Sequence, residues 1–505
     1  MGGDANLYRV LYGTGMPAAP VIVEPGGATV TYAELKARAE RLSSALTAAG
    51  VTTGDRVSTV LDKGVAALVV VHAALRIGAI VQPLNPKSTG RELTNFLQDA
   101  EPALIVSGPP HVDAVTPLAE RCRARLETLT EPMDGSLPAL AAGDPPPIAP
   151  RAPGDDAVLL YTSGTTGAPK GARITHGNLA ESARALVRVW GMTAEDRLLH
   201  ALPLTHAHGL LTATNTMLAA GAQIELLEQF DADAVVEALP RASVFMGVPT
   251  FYARLVQYPE FGVSCRNLRL LVSGSAPLGA RLHRSVADAV GLQVRERYGA
   301  TETAIVAAMP ADARPRPGWV GWPLPGVEVR LRPNDGPAGS GDANLGELET
   351  RGHNVCAGYW RRPDADREAF TADGWFRTGD VAQIDASGCI RIHGRTKDLV
   401  ITGGINVHPG EVEGVLEEFP EIATAAVFGV PHADLGEAVV AAVEAAAPFD
   451  AEDVCSRVRR ELAGYKVPRR LLTVDAIPRD HMGKIRKAAL RESYAGLFEE
   501  PDADA

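Results

Sequence analysis

Cysteine is scarce in this 505-residue chain, and positive charge is in deficit. The five cysteines, Cys122, Cys265, Cys356, Cys389 and Cys455, are odd in number and never spaced as C-x-x-C. That excludes a disulfide framework or a zinc site built on paired thiols, and it fits free thiols in a reducing cytosol. Lys and Arg total 49 against 61 Asp and Glu, a net charge of −12, so neither nucleic acid nor an anionic membrane is an expected partner. A polyanionic ligand has to be met by a local basic patch. No apolar run is clean enough to span a membrane: the longest, 65–84, is interrupted by His72, Arg76 and Gly78 and reads as a buried helix followed by a strand. The first residues, Met1-Gly2-Gly3-Asp4, lack the cationic and apolar segments of a signal peptide, and a cytoplasmic location is expected.

What is present is the composition of a globular protein, 46% hydrophobic and 22% charged, long enough for two or more domains. Between 32 and about 297, helix-period segments (178–190, 232–239, 280–290) alternate with short apolar runs (157–161, 197–202, 223–227, 243–246, 268–272, 294–297). This alternation predicts an α/β fold of parallel-sheet subdomains covered on both faces. From Trp319 the texture changes to short β-like runs (328–331, 346–350, 389–393), which predict a small antiparallel, β-rich subdomain. After Arg395 comes a small α+β unit: helix 409–418, strands 423–430 and 438–443, helix 451–464, strand 471–474 and a last helix from Ile485. The boundary at Arg395–Lys397 divides the chain into domains 1–395 and 396–505, the second of usual domain size.

The segment Thr162-Ser163-Gly164-Thr165-Thr166-Gly167-Ala168-Pro169-Lys170-Gly171 packs small and hydroxyl-bearing residues around one lysine. Glycines let backbone N–H groups approach phosphate oxygens, the hydroxyls add donors and Lys170 adds charge. The common mononucleotide loop has Gly directly before its Lys, where this chain has Pro169. Placed just beyond strand 158–161 and before a helix, the segment is expected to hold phosphates in the usual α/β manner.

These residues resemble the phosphate loop of the adenylate-forming enzymes, the superfamily of acyl-CoA synthetases, luciferases and adenylation domains. Further pieces follow in that family's order: Leu202-Pro203-Leu204-Thr205-His206-Ala207-His208-Gly209, Tyr298-Gly299-Ala300-Thr301-Glu302, Thr378-Gly379-Asp380, Gly394-Arg395-Thr396-Lys397-Asp398 and Met482-Gly483-Lys484. The resemblance runs from about Val30 to Tyr494 and implies ATP, Mg²⁺ and coenzyme A as ligands. A carboxylate is a poor acyl donor, so the family's reaction joins it to the α-phosphorus of ATP and then lets a thiolate displace AMP.

The resemblance gives roles to particular residues. Glu302 is the expected Mg²⁺ ligand, with Thr165 or Thr301 alongside. Tyr298 is expected against the adenine, near Ser275, Ala276, Pro277, Glu296, Arg297 and Gly299. Asp380, with Arg395, accepts from the ribose hydroxyls. Lys484 is the expected catalytic lysine, bridging the carboxylate and the α-phosphate. Lys397 is the expected hinge of a mobile C-terminal domain, with Gly403 and Gly404 lining a CoA channel. Acetylation of Lys484 by a lysine acetyltransferase, reversed by a deacetylase, would remove its charge.

For the acid, His206 and His208 are expected to face the reacting carboxylate, His208 in a catalytic role. The His motif lacks the carboxylate with which aminoacyl-adenylating members pair an ammonium, so an amino acid is not expected. Several segments look like those of malonyl-CoA synthetases, in which Arg284 would fork onto the distal carboxylate, near Ser273 and Ala300. Ala300 is smaller than the residue, often Met, that those enzymes carry, which leaves room for a 2-substituted malonate. Another short or medium acid, a carrier-protein thiol as acceptor, and a catalytically silent adenylate-binding homologue are the alternatives.

Overall fold

The computed structural model describes residues 4–24, 26–162, 169–333, 344–479 and 483–498. Its first sheet has six strands in the order Arg125–Thr128, Leu104–Ser107, Arg56–Val60, Ile80–Leu84, Asp156–Thr162 and Lys170–Thr175, parallel except for the last pair. The helix Val65–Arg76 buries 11 of its 12 residues, and a helix apolar on every side must lie inside a fold. Its neighbour Tyr32–Ala48 is started by a capping box in which Thr31 and Glu34 satisfy each other's backbone N–H.

A continuous path of thirteen strands forms the second sheet. Five of its strands, Arg295–Tyr298, Leu270–Ser273, Val244–Gly247, Arg197–His200 and Gln223–Leu226, run parallel to one another, with Pro20–Val23 parallel beyond them. The β-rich region predicted after Trp319 is joined to this sheet rather than set apart. The two-residue strand Ala307–Ala308 pairs with both Arg295–Tyr298 and Trp319–Pro323 and carries the ladder across. This puts Tyr298 and the strands Phe376–Ile384 and Ile390–Arg395 in one hydrogen-bonded framework.

After the turn Thr396–Asp398 a third sheet begins, formed by Val400–Thr402, Ile405–Val407, Ile422–His432, Gly436–Ala445 and Arg470–Thr473. Helices Pro409–Leu416 and Ala451–Glu461 close one face through Val412, Leu416, Val454 and Val458. No helix among the described residues is long and apolar enough to cross a membrane.

The glycine-rich loop corrects one expectation. It joins two antiparallel strands, with Tyr161 opposite Gly171 and Thr162 opposite Lys170, and the next helix begins only at His176. Gly171 permits this hairpin, since a Cβ there would lie 2.9 Å from Leu159 and 3.0 Å from Tyr161. The segment that follows the glycine-rich run is therefore a strand, antiparallel to the one before it, and not the start of a helix.

Candidate active site

A cleft of about 4010 Å³ lies between the two large sheets and the C-terminal unit, lined by Lys170, Tyr298, Glu302, Asp380, Arg395, Lys397 and Lys484 among others. Within it, Asp380 and Arg395 are register partners on adjacent strands. The Asp380 Oδ1 lies 2.8 Å from Arg395 Nε, and the Tyr298 hydroxyl donates to its Oδ2. Burial pushes the Asp380 carboxyl up from its ordinary value, while Arg395, Tyr298 and Lys484 oppose that rise. The Tyr298 phenol is driven well up by burial, then by Asp380, so it stays a neutral donor.

The turn from Gly299 to Glu302 needs glycine at its start: a Cβ on Gly299 would sit 1.8 Å from the Ala304 carbonyl oxygen. Folded this way, the turn presents Ala300, Thr301 and Glu302 to the cleft, and the Thr303 hydroxyl accepts from the Ala300 N–H at 3.0 Å. The Tyr359 hydroxyl donates to Glu302 Oε1 at 3.0 Å, and Lys170 Nζ lies 5.4 Å from the Tyr359 ring centre. Tyr359 was not foreseen, because Gly358-Tyr359-Trp360 carries no signal beyond two aromatics. Among the described residues no three His, Cys, Asp or Glu side chains cluster as a metal site. A lone Glu302 fits Mg²⁺ only in its common mode, one or two carboxylates plus waters and substrate phosphates. Ser163, Gly164, Thr165, Thr166 and Gly167 lie outside the described residues.

Of the residues expected at the acid, His206 and Ala300 line the cleft. His208 does not: the π-helical segment Ala207–Thr214 turns it inward, where it is 3% exposed. Its Nδ1 is 3.3 Å from the Ser275 hydroxyl, to which Arg297 Nη2 donates at 3.2 Å. Burial, then Arg297 and His200, hold the His208 imidazole well below its usual range. His208 is thus a neutral imidazole held against Ser275 and not a lining group of the cleft, contrary to the expectation that it faces the reacting carboxylate. Ser273 is also buried behind the lining, whereas Ser275, Ala276, Pro277 and Glu296 reach it. The Glu296 carboxyl accepts from the Gly318 N–H at 2.7 Å, and burial raises it to about 7.

Arg284 departs from expectation. The helix Ala280–Val290 turns Arg281, Leu282 and Ser285 to the cleft and buries His283 and Val286, which leaves Arg284 exposed on another face. It therefore does not enter the cleft, as a cation pairing a distal carboxylate there would have to. Lys63 was missed by sequence reasoning. It lines the cleft, donates to the His200 carbonyl at 2.7 Å, and is held well below its ordinary value by burial.

Lys484 reaches the cleft from the C-terminal unit. The preceding Gly483, at φ +78°, packs so closely on Thr250 that a Cβ would lie 3.0 Å from its methyl carbon. Gly404 lines the cleft while Gly403, also exposed, does not, its N–H donated to the Leu435 carbonyl at 2.9 Å.

Comparison with known proteins agrees with this geometry. The AMP-binding enzyme family matches residues 13–360 and the AMP-binding enzyme C-terminal domain matches 411–484. A feruloyl-CoA synthase of an Amycolatopsis species is 36% identical over 481 residues, covering 94% of this chain and 95% of that protein. The mitochondrial malonate–CoA ligase ACSF3 of Bos taurus is 35% identical over 521 residues, covering 94% and 88%. ATP-bound MatB from Rhodopseudomonas palustris superposes with a TM-score of 0.93 at 42% identity, covering 98% of this chain and 100% of that one; its apo form gives 0.85 at 41% over the same shares. The chain belongs to the AMP-binding enzyme family, within the adenylate-forming superfamily.

Proposed function

We propose that this chain is an AMP-forming acid–thiol ligase that converts a short dicarboxylic acid, malonate or a 2-substituted malonate, into its CoA thioester. The observation that carries the reaction is the convergence of Lys484 with the Asp380–Arg395–Tyr298 cluster in one cleft. A carboxylate oxygen of the acid attacks the α-phosphorus of ATP and diphosphate leaves. The Lys484 ammonium offsets charge that builds on both reacting groups. Asp380 and Arg395 hold the ribose, and Lys170 meets the phosphates. Glu302 would hold Mg²⁺, which when bound offsets phosphate charge. CoA thiolate then attacks the acyl carbon, and AMP departs with its C–O bond broken. Lys397 is the proposed hinge between these steps, and acetylation of Lys484 the proposed means of silencing the first.

The malonate reading is supported by the 35% identity to a malonate–CoA ligase. A second reading, an aromatic acid, has its own support. Phe230 and Phe251 stack at 3.9 Å between ring centres, both line the cleft, and a feruloyl-CoA synthase is equally similar.

Malonate, methylmalonate, propionate and ferulate, each given with ATP, Mg²⁺ and CoA and read by AMP release and thioester mass, decide between the two. Exposed Arg284 should be dispensable, so Arg284→Ala is expected to shift kcat/KM for every acid by less than about twofold. Ala300→Met should overpack the space beside the malonate methylene and penalise methylmalonate over malonate by about 1–3 kcal/mol. If Ala300→Met leaves that ratio unchanged, Ala300 does not face the substituent.

A further inference from the structure

Away from Lys484, the two units meet at a second place. Helix Ala280–Val290 of the N-terminal unit begins at Gly279, and helix Pro409–Leu416 of the C-terminal unit ends at Glu417. Arg281, in the first turn of one helix, donates through Nη1 to the carbonyls of Phe419 at 3.1 Å and Pro420 at 3.5 Å, just past the end of the other. In return the Glu417 side chain lies over Gly279, where a Cβ would stand 2.7 Å from its Oε2 and meet nothing outside that carboxylate within 4 Å. The other carboxylate oxygen accepts from the Ala425 N–H at 3.3 Å, which steadies Glu417 from within its own unit. A cation thus sits beyond one helix C-terminus and a carboxyl beside the other helix N-terminus, each charge matching the helix end it faces.

We propose that Arg281, Gly279 and Glu417 form an inter-domain latch that docks the C-terminal domain for adenylate formation. They are positioning residues, acting through Lys484 and not on substrate. The latch rests on the two-step reading above, because a domain that turns to admit CoA must break it. The orientation it holds is the one in which Gly483 packs on Thr250 and Lys484 reaches the cleft; the chain as a whole superposes on ATP-bound MatB with the higher TM-score, 0.93 against 0.85 for the apo form.

Gly279 offers a test that leaves both domains intact. Its φ of −57° and ψ of 142° suit any residue, and Asp is a favoured N-cap. Gly279→Asp therefore keeps its helix while setting a second carboxylate against Glu417. Measurements belong at pH 8, above the value of about 7 to which burial raises Glu417.

Amide hydrogen exchange of segments 279–285 and 415–425 reads docking without turnover. In Gly279→Asp and in Arg281→Ala both segments are expected to exchange about tenfold faster, the worth of one charge-assisted hydrogen bond, with unfolding temperature unchanged. ATP–diphosphate exchange should fall by a similar factor, while thioester formation from supplied acyl-adenylate holds. Adding Glu417→Gln to Gly279→Asp removes the repulsion between like charges but also Glu417's own charge, so both readings should recover in part. Unchanged exchange in 415–425, equal loss of the two half-reactions, or failure of that rescue overturns the latch. Wild-type protein that turns over no acid would overturn the ligase reading instead, and the exchange data would still judge the latch.

Discussion

Lys484→Ala is expected to lower adenylate formation by about 10²–10³-fold, the usual effect of removing one charge-stabilising contact made in a transition state. Thioester formation from supplied acyl-adenylate should remain within a few fold of the parent. The lysine stands near enough to Asp380 to oppose the rise that burial gives that carboxyl, so its charge lies toward the Asp380–Arg395 pair proposed to hold the ribose. The second step needs room for a thiol where the lysine stands. Assaying ATP–diphosphate exchange and thiolysis separately checks this, and parallel loss of both would refute a lysine that serves only the first step. Lys484→Arg should recover little, since a planar fork does not substitute for a compact ammonium.

Asp380→Ala is the other change with a large expected effect. It leaves the Tyr298 hydroxyl, and in part Arg395, without their acceptor. Arg395 keeps 47% of its side chain exposed and recovers water, so the loss of stability is expected to be about 1–3 kcal/mol rather than the larger penalty of a fully buried pair. Nucleotide binding suffers separately. Loss of a charged acceptor for the ribose hydroxyls should weaken ATP by about 10–10²-fold, seen as a rise in KM for ATP with little change in that for the acid. Isothermal calorimetry with ATP and a thermal melt on the same sample separate the two effects. Unaltered ATP affinity would place the ribose elsewhere.

Part of the cleft lining was legible because local chain geometry places those residues. Asp380 sits beside a glycine at φ +68°, Glu302 closes a turn that only glycine can start, and helix 280–290 was placed to the residue by its apolar spacing. Side-chain direction was less legible. Arg284 lies on a correctly predicted helix, yet one face of that helix meets the cleft and Arg284 is not on it. His208 follows His206 by two residues, but a π-helical turn sends the two to opposite sides of the lining. The hairpin at the glycine-rich loop escaped because 170–175, with Lys170, Gly171 and Arg173, lacks the apolar alternation of a strand and forms one by pairing with Asp156–Thr162. Strand pairing likewise joined the β-rich region to the main sheet through only two alanines, too short a run to read as a strand.

Arg395 occupies two positions at once. It is the last residue of the strand Ile390–Arg395, and it is the ion-pair partner of Asp380; the 3₁₀ turn Thr396–Asp398 begins at the next peptide bond. A bound ribose would therefore rest on the fixed bearing of the joint about which the C-terminal domain is proposed to swing. Such a joint can rotate through a large arc without dragging the nucleotide along, because the last residue that does not move is also one of those gripping the sugar. The adenylate would keep its seat while the machinery on its other side is exchanged, and a reactive mixed anhydride would pass from one half-reaction to the next without being released into water.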